Sequence, residues 1–253
     1  MIMVELTVLG SFGPYAPANG ACSGYLLDID GFTIMLDCGH GAFSKLQKYT
    51  DYTKLGLLVI THLHPDHYSD IYCLRQALKY ALHEGKRTEP LFVYLPEEPR
   101  ALVEEFEQWS DVFTIINLQE AQQMENDFNL FKLHFFSVKH SIPTYGVRLT
   151  VDEKTLLAYT ADTGWDNRLV EECKEAEYVL AECSLKEFEL AERGSNHLSA
   201  GQAGVLAHNC GAKNLILTHF FPAYQQAQLQ RQAEIAFEGK IYLAATGKKY
   251  LLG

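Results

Sequence analysis

The stretch LVITHLHPDHYSDI, residues 58–71, sets three histidines and an aspartate within six positions where an apolar run ends. A plain buried strand stops in a Gly or Asn turn. This one stops in His62, His64, Asp66 and His67. In an extended segment residues two apart point the same way, so His62 and His64 can offer both imidazoles to one ion. Pro65 then turns the chain, and Asp66 and His67 face another direction at the start of the next helix, where the helix dipole favours a carboxylate. One loop therefore offers two adjacent half-sites. Zinc usually takes four ligands, so neither is complete, and the remaining donors must come from elsewhere in the chain. A lone loop histidine is ordinarily a surface residue; four such donors together form a metal-binding pattern.

The rest of the chain reads as strands and helices in mixture. VELTVLG, SGYLLDI and FTIMLDCG are strands, the last two joined by Asp30-Gly31, a hairpin signal. Residues 42–49 suggest a short helix, and GLLVI is a short buried strand. Ile71, Leu74, Leu78 and Leu82 recur at helical spacing. LFVYL, the region 128–138, GVRLTV, TLLAYTAD, YVLAEC, NLILTH and a last strand KIYLAA follow, with helices at 101–109, in LVEECKEA, at 199–210 and in AQLQRQAEIAF. No linker or low-complexity tract divides the chain. One echo is visible: LVITHLHPDH and LILTHFFPAY share Leu58/Leu215, Thr61/Thr218, His62/His219 and Pro65/Pro222. It fits two related halves that each deliver a strand end to one shared cleft.

At 253 residues the chain suits one large domain or two small ones, and one large α/β domain is common at this length. No apolar run approaches the roughly 18 residues of a membrane span. The start, MIMVELTVLG, carries Glu5 and no basic leader and reads as a strand, not a signal peptide. The six cysteines lack CxxC spacing, which points to reduced, mostly buried thiols and a cytoplasmic protein. With 21 basic and 32 acidic residues the net charge is −11, which opposes broad binding of nucleic-acid backbone. Arg75, Lys79, Lys86 and Arg87 form one candidate basic rim, read more simply as a solvated helix face.

Seven further histidines are present: His40, His83, His134, His140, His197, His208 and His219. His140, His197 and His219 fall just past or between elements, where function concentrates. Asp162 does so too, where TLLAYTAD runs into Asp-Thr-Gly. His208 sits in a helical pattern and His134 in a strand; these two, with His40 and His83, read as structural or surface residues.

THLHPDH resembles the HxHxDH signature of the metallo-β-lactamase superfamily. The likeness extends over nearly the whole chain: LDCG, the His of VKHSIP, the Asp of YTADTG and the His of LILTHF follow that family's order and rough spacing. Within the superfamily the chain is most similar to the ribonuclease Z and cyclic-phosphodiesterase branch, through Asn196-His197-Leu198-Ser199 and the LTHF motif. The resemblance implies an α/β fold, a four-layer αβ/βα sandwich of two mixed sheets flanked by helices, with residues 1–253 as a single domain. It implies a dinuclear site in which His62, His64 and His140 hold one ion, Asp66, His67 and His219 the other, and Asp162 bridges both. Asp37, in LDCG, matches an outer acid that fixes the tautomer of a ligand histidine. The cofactors implied are two divalent metal ions, zinc first, with manganese and iron also suited to N/O donors. His197 matches a proton donor and Glu182 an acid that pairs with it; with Asp66 they make up the expected catalytic set. Ser141, Thr163 and Gly164 are candidate phosphate contacts.

Two ions can clamp the oxygens of an in-line displacement and lower the pKa of water to about 7. The expected activity is that of a metal-dependent phosphodiesterase on a small or cyclic nucleotide-like phosphodiester. The alternatives are a ribonuclease Z-like nuclease, a thioester or lactone hydrolase, and a non-catalytic metal-binding protein. The long Gly-rich arm with which many ribonuclease Z enzymes grip tRNA has no counterpart between His140 and Asp162, so nucleic acid is the less favoured partner. A small-molecule substrate, no membrane and a homodimer complete the expectation.

Overall fold

The structure, a computed structural model, describes residues 2–193 and 196–253. It divides into two compact units, one of Met3–Gln123 with Ala245–Leu251, the other of Met124–Ala244 with Ile2 and Leu252–Gly253. Each is organised round one seven-stranded mixed sheet.

The first sheet uses β1 (Val4–Gly10), β2 (Gly24–Ile29), β3 (Phe32–Leu36), β4 (Leu57–Val59), β5 (Leu91–Leu95) and β6 (Phe113–Asn117) in that spatial order. The chain's last strand, Lys249–Leu252, lies outside β1. β1, β2 and β3 are antiparallel, whereas β3 through β6 run parallel. The β2–β3 hairpin turns at Asp30 and Gly31, both with positive φ (51° and 92°), as the Asp-Gly signal predicts. Parallel central strands are covered on both faces and carry unbroken apolar runs, and all three residues of β4 are buried. The helices of this unit are α1 (Ala42–Leu46), α2 (Pro65–Tyr68), α3 (Ile71–His83), α4 (Arg100–Glu107) and α5 (Leu118–Ala121).

The second sheet runs β7 (Asn126–Asp127), β8 (Lys132–Ser137), β9 (Tyr145–Val151), β10 (Lys154–Tyr159), β11 (Tyr178–Glu182), β12 (Asn214–Thr218) and β13 (Lys240–Leu243), again in spatial order. β7 to β10 are antiparallel neighbours and β10 to β13 parallel ones. Its helices are α6 (Arg168–Glu172), α7 (Leu190–Arg193), α8 (Ala200–Asn209) and α9 (Gln226–Glu234). Both sheets thus change from antiparallel to parallel pairing. The two halves of the sequence echo end matching strands: β4 leads to His62 and β12 to His219, each strand lying between two parallel neighbours.

Three expectations need correction. α3 buries Ile71, Leu74, Leu78 and Ala81, so Ala81 takes the core place given to Leu82. Asp66 and His67 belong to a separate four-residue helix, α2, with Pro65 at its first turn. KIYLAA is not the last strand, because Lys249–Leu252 follows and joins the other sheet. The proposed basic rim is also engaged locally. Arg87 donates to the carbonyls of Thr53, Leu55 and Glu89, Arg75 stacks on Trp109, and Lys79 and Lys86 pair with Asp111 and Glu84. Among the described residues no helix is long and apolar enough to cross a membrane.

The LDCG turn after β3 is tied to the histidine loop by backbone bonds. Cys38 N–H donates to the His67 carbonyl (2.7 Å), and Asp70 N–H donates to the Cys38 carbonyl (2.9 Å). Gly39 lies so close that a Cβ there would stand 1.9 Å from the Asp66 carbonyl oxygen. Relief requires backbone movement, not a side-chain swing. Gly39→Ala is therefore expected to destabilise the fold by about 1–3 kcal/mol, read as a lower urea midpoint. An unchanged midpoint would contradict this packing.

Candidate metal centre

In the first unit a buried carboxylate organises the histidine loop. Asp37, at the end of β3, is fully buried and has positive φ (57°). Its Oδ1 accepts from Thr61 N–H (2.8 Å), its Oδ2 accepts from His67 Nδ1–H (2.9 Å), and the Thr61 hydroxyl donates to it at 3.0 Å. A carboxylate removed from water is tolerated only with such partners. Because the single Thr61 hydroxyl proton goes to Asp37, Thr61 Oγ1 is an acceptor toward His62 Nδ1 at 3.2 Å. Both imidazoles thereby carry their proton on Nδ1 and present Nε2 as an electron pair. His62 Nε2 lies 3.1 Å from His64 Nδ1. Two nitrogens on one tetrahedral zinc, each at about 2.05 Å, stand about 3.3 Å apart, so this spacing fits a shared ion. His67 Nε2 lies 3.7 Å from Asp66 Oδ2, and the His62 and His67 ring centroids are 4.0 Å apart. The two pairs, His62 with His64 and Asp66 with His67, are neighbours, as the spacing predicts.

In the second unit Glu182, at the end of β11, is buried in the same way. Its Oε1 accepts from Thr163 N–H (2.7 Å) and His197 Nδ1–H (2.9 Å). Its Oε2 accepts from the Ser184 hydroxyl (2.6 Å) and Ser184 N–H (3.2 Å). Ser184 Oγ lies 2.7 Å from His219 Nδ1, and His219 Nε2 lies 3.3 Å from Asp162 Oδ2. His140 Nδ1–H donates to the Asn196 carbonyl at 2.9 Å. Burial, above all, pushes the His140 pKa down, which favours the neutral form that binds metals. Donor atoms of His140, Asp162 and His197 lie within 4.8 Å of one another, and so do those of Glu182, His197 and His219. The unit thus gathers the predicted His140, Asp162, Glu182, His197 and His219. The His197 side chain is 25% exposed, against 4% for His219, and so is the more open of the two.

Three residues at or beside the candidate donors have unusual backbone angles. Besides Asp37, Ala161 (φ 53°) and His219 (φ 54°) occupy the left-handed region. Neither is a turn residue of the Asn or Gly kind, and such outliers persist only where the surroundings enforce them. Ala161 aims the neighbouring Asp162.

Other candidates stand apart. His40, His83 and His208 are exposed, and His134 pairs with Glu172 at 3.2 Å. Thr163 and Gly164 do not present the expected phosphate donors. The Thr163 hydroxyl donates to the Gly164 carbonyl, its N–H to Glu182, and Gly164 N–H to the Lys139 carbonyl. Five cysteines are buried and only Cys73 is exposed. Burial pushes the Cys38, Cys173 and Cys183 thiols well above their ordinary range, Cys22 to about 12 and Cys210 to about 11. Thiols so held are poor nucleophiles. Ser184 is not visible in the sequence; a serine two places past a strand-end glutamate carries no signal of its own.

Residues 33–220 match a family profile described as a beta-lactamase superfamily domain. The chain is 28% identical over 246 residues to the probable metallo-hydrolase YhfI of Bacillus subtilis (strain 168), covering 96% of this chain and 98% of that protein. The crystal structure of the metallo-beta-lactamase fold protein YhfI superposes with a TM-score of 0.90 at 26% identity, over 98% of this chain and 99% of that one. Ribonuclease Z of Thermobifida fusca (strain YX) is 25% identical, over 95% of this chain and 92% of its own. A diphosphatase from the PhnP family shares the fold, with a TM-score of 0.77 at 18% identity over 100% of this chain and 99% of that one.

Removing the Asp37 carboxylate would strand the Thr61 N–H and the His67 Nδ1–H in a buried place. Asp37→Ala is expected to cost at least about 2 kcal/mol in the metal-free protein, since each stranded group costs about 1–3 kcal/mol. The exposed His83→Ala should be close to neutral in the same urea titration. Equal midpoints for the two variants would contradict the role given to Asp37.

Proposed function

The chain belongs to the beta-lactamase superfamily as a metal-dependent hydrolase, and we propose that it holds two divalent ions and cleaves a small or cyclic nucleotide-like phosphodiester. His62, His64 and His140 would hold one ion, Asp66, His67 and His219 the other, and Asp162 both. The donor chemistry fits: His62, His67, His140 and His219 are held through Nδ1–H, and carboxylates lie beside the Nε2 atoms of His67 and His219. Nitrogen and oxygen donors suit zinc, and also manganese or iron. When bound, such ions supply Lewis acidity toward a phosphoryl oxygen and acidify water.

The observation that carries the phosphodiesterase reading is the His197–Glu182 hydrogen bond of 2.9 Å beside Asp162, on a histidine partly open to solvent. Glu182 holds Nδ1–H and steadies the positive charge of the protonated ring. His197 Nε2 then carries the proton for the leaving oxygen, and the ring returns to neutral when that proton is given up. An imidazole titrates near neutral pH and suits this work. Asp66 and Asp162 would supply the negative charge to hold the ions, and partial burial favours the neutral form of His140.

A ribonuclease reading is the second, favoured by the similarity to ribonuclease Z. Against it stand the net charge of −11 and the tight β9–β10 hairpin, Tyr145–Tyr159, that fills most of the segment between His140 and Asp162.

Elemental analysis of the purified protein should find close to two transition-metal ions per chain; one or none would count against the site. The metal-loaded protein should cleave an aryl phosphodiester, and His62→Ala should abolish cleavage; equal turnover would refute the assignment. His197→Ala should slow substrates with poor leaving groups by about 10²–10⁴-fold and hardly affect those with good ones. An equal loss on both would remove His197 as proton donor.

A further inference from the structure

Asp37 and Glu182 do the same thing in their separate units. Each buried carboxylate takes one imidazole directly, His67 on Asp37 and His197 on Glu182, both at 2.9 Å. Each takes a second imidazole through one hydroxyl: Thr61 between Asp37 and His62, and Ser184 between Glu182 and His219. The sequence echo aligns Thr61 with Thr218, yet the hydroxyl in the second unit comes from Ser184, beyond the neighbouring strand β11. The Thr218 carbonyl instead accepts from Cys183 N–H and Sγ–H.

We infer that Ser184 is a positioning residue that fixes the tautomer and ring direction of His219, and so sets the affinity for one of the two ions. Counting protons leads there. Ser184 has one hydroxyl proton, and the 2.6 Å contact to Glu182 Oε2 takes it. Oγ can then only accept from His219 Nδ1, at 2.7 Å. Nδ1 is protonated, and the Nε2 electron pair points toward Asp162 Oδ2, 3.3 Å away. Two electron-rich atoms so close are stabilised by a cation between them. Ser184 is buried, and its backbone N–H also bonds to Glu182. Little room is left for the ring to turn. Glu182 therefore serves both sides of the site: through Oε1 it orients the proton donor, and through Ser184 it orients a ligand.

The inference rests on the proposed metal site, and its test separates the two. Zinc affinity is measured by chelator competition for the wild type, Ser184→Ala, Ser184→Thr and His83→Ala, the last at an exposed histidine outside the clusters. Ser184→Ala is expected to weaken one of the two ions by about 10-fold or more, the range for lost outer partners of a ligand. Ser184→Thr should restore it to within about 3-fold, and His83→Ala should leave it unchanged. In parallel, ¹⁵N-histidine spectra of the metal-free protein, assigned with His219→Gln, should show His219 as the Nδ1–H tautomer in the wild type and a mixture in Ser184→Ala. Should Ser184→Ala fail to fold, Ser184→Cys, with its weaker donor, is expected to show the same loss. Wild-type affinity in Ser184→Ala or Ser184→Cys, no rescue by threonine, or an unchanged tautomer would overturn the inference. A wild type that binds no zinc would instead overturn the metal site, with the tautomer still reporting on Ser184.

Discussion

Two buried carboxylates, one in each unit, organise the candidate donors. Asp37 and Glu182 are both removed from water, where an ionised carboxylate is costly unless hydrogen-bonded on all sides. Each satisfies that demand with a backbone N–H, a hydroxyl and an imidazole Nδ1–H. The same bonds decide which nitrogen of each ring is left to face the neighbouring donors. The chemistry offered at the Nε2 side therefore follows from how the acids are buried, and only secondarily from the histidines themselves. His140 follows the rule with a carbonyl in place of a carboxylate.

The fold supplies those acids at the ends of strands. Asp37 follows β3 and Glu182 ends β11, each next to the parallel strand, β4 or β12, that leads to a candidate donor histidine, His62 or His219. Functional loops at the carboxyl ends of parallel strands are a general consequence of α/β architecture. In this chain the arrangement occurs twice, in two sheets that both change from antiparallel to parallel pairing. A strand-Thr-His segment accompanies the arrangement in each unit. The units differ in the hydroxyl, which Thr61 supplies in one unit and Ser184 in the other.

Much of this is legible in the amino-acid sequence. The histidine loop declares itself because four donors in six positions have no ordinary core or turn explanation. The Asp30-Gly31 hairpin and the apolar β4, β5 and β12 follow from local chemistry. What stays hidden depends on tertiary context. β6 and the last strand are short segments whose pairing partners decide their state, and Ala81 displaces Leu82 because the helix face, not hydrophobicity, sets burial. Glu182 can be named only through the family likeness, since a lone glutamate at a strand end is commonplace, and the same likeness is what gives His197 a role beyond its place between elements. Ser184 cannot be named at all, because its meaning lies in two contacts, to a residue two places before it and to another 35 places on.

Whether these clusters hold a pair of ions is the central question. Anomalous diffraction from crystals soaked in zinc measures that directly. Two peaks are expected, with donor atoms at about 2.0–2.2 Å: one peak on His62 Nε2, His64 Nδ1 and His140 Nε2, the other on Asp66, His67 Nε2 and His219 Nε2, and Asp162 reaching both. A single peak, or strong peaks on other residues with these imidazoles turned elsewhere, would contradict it.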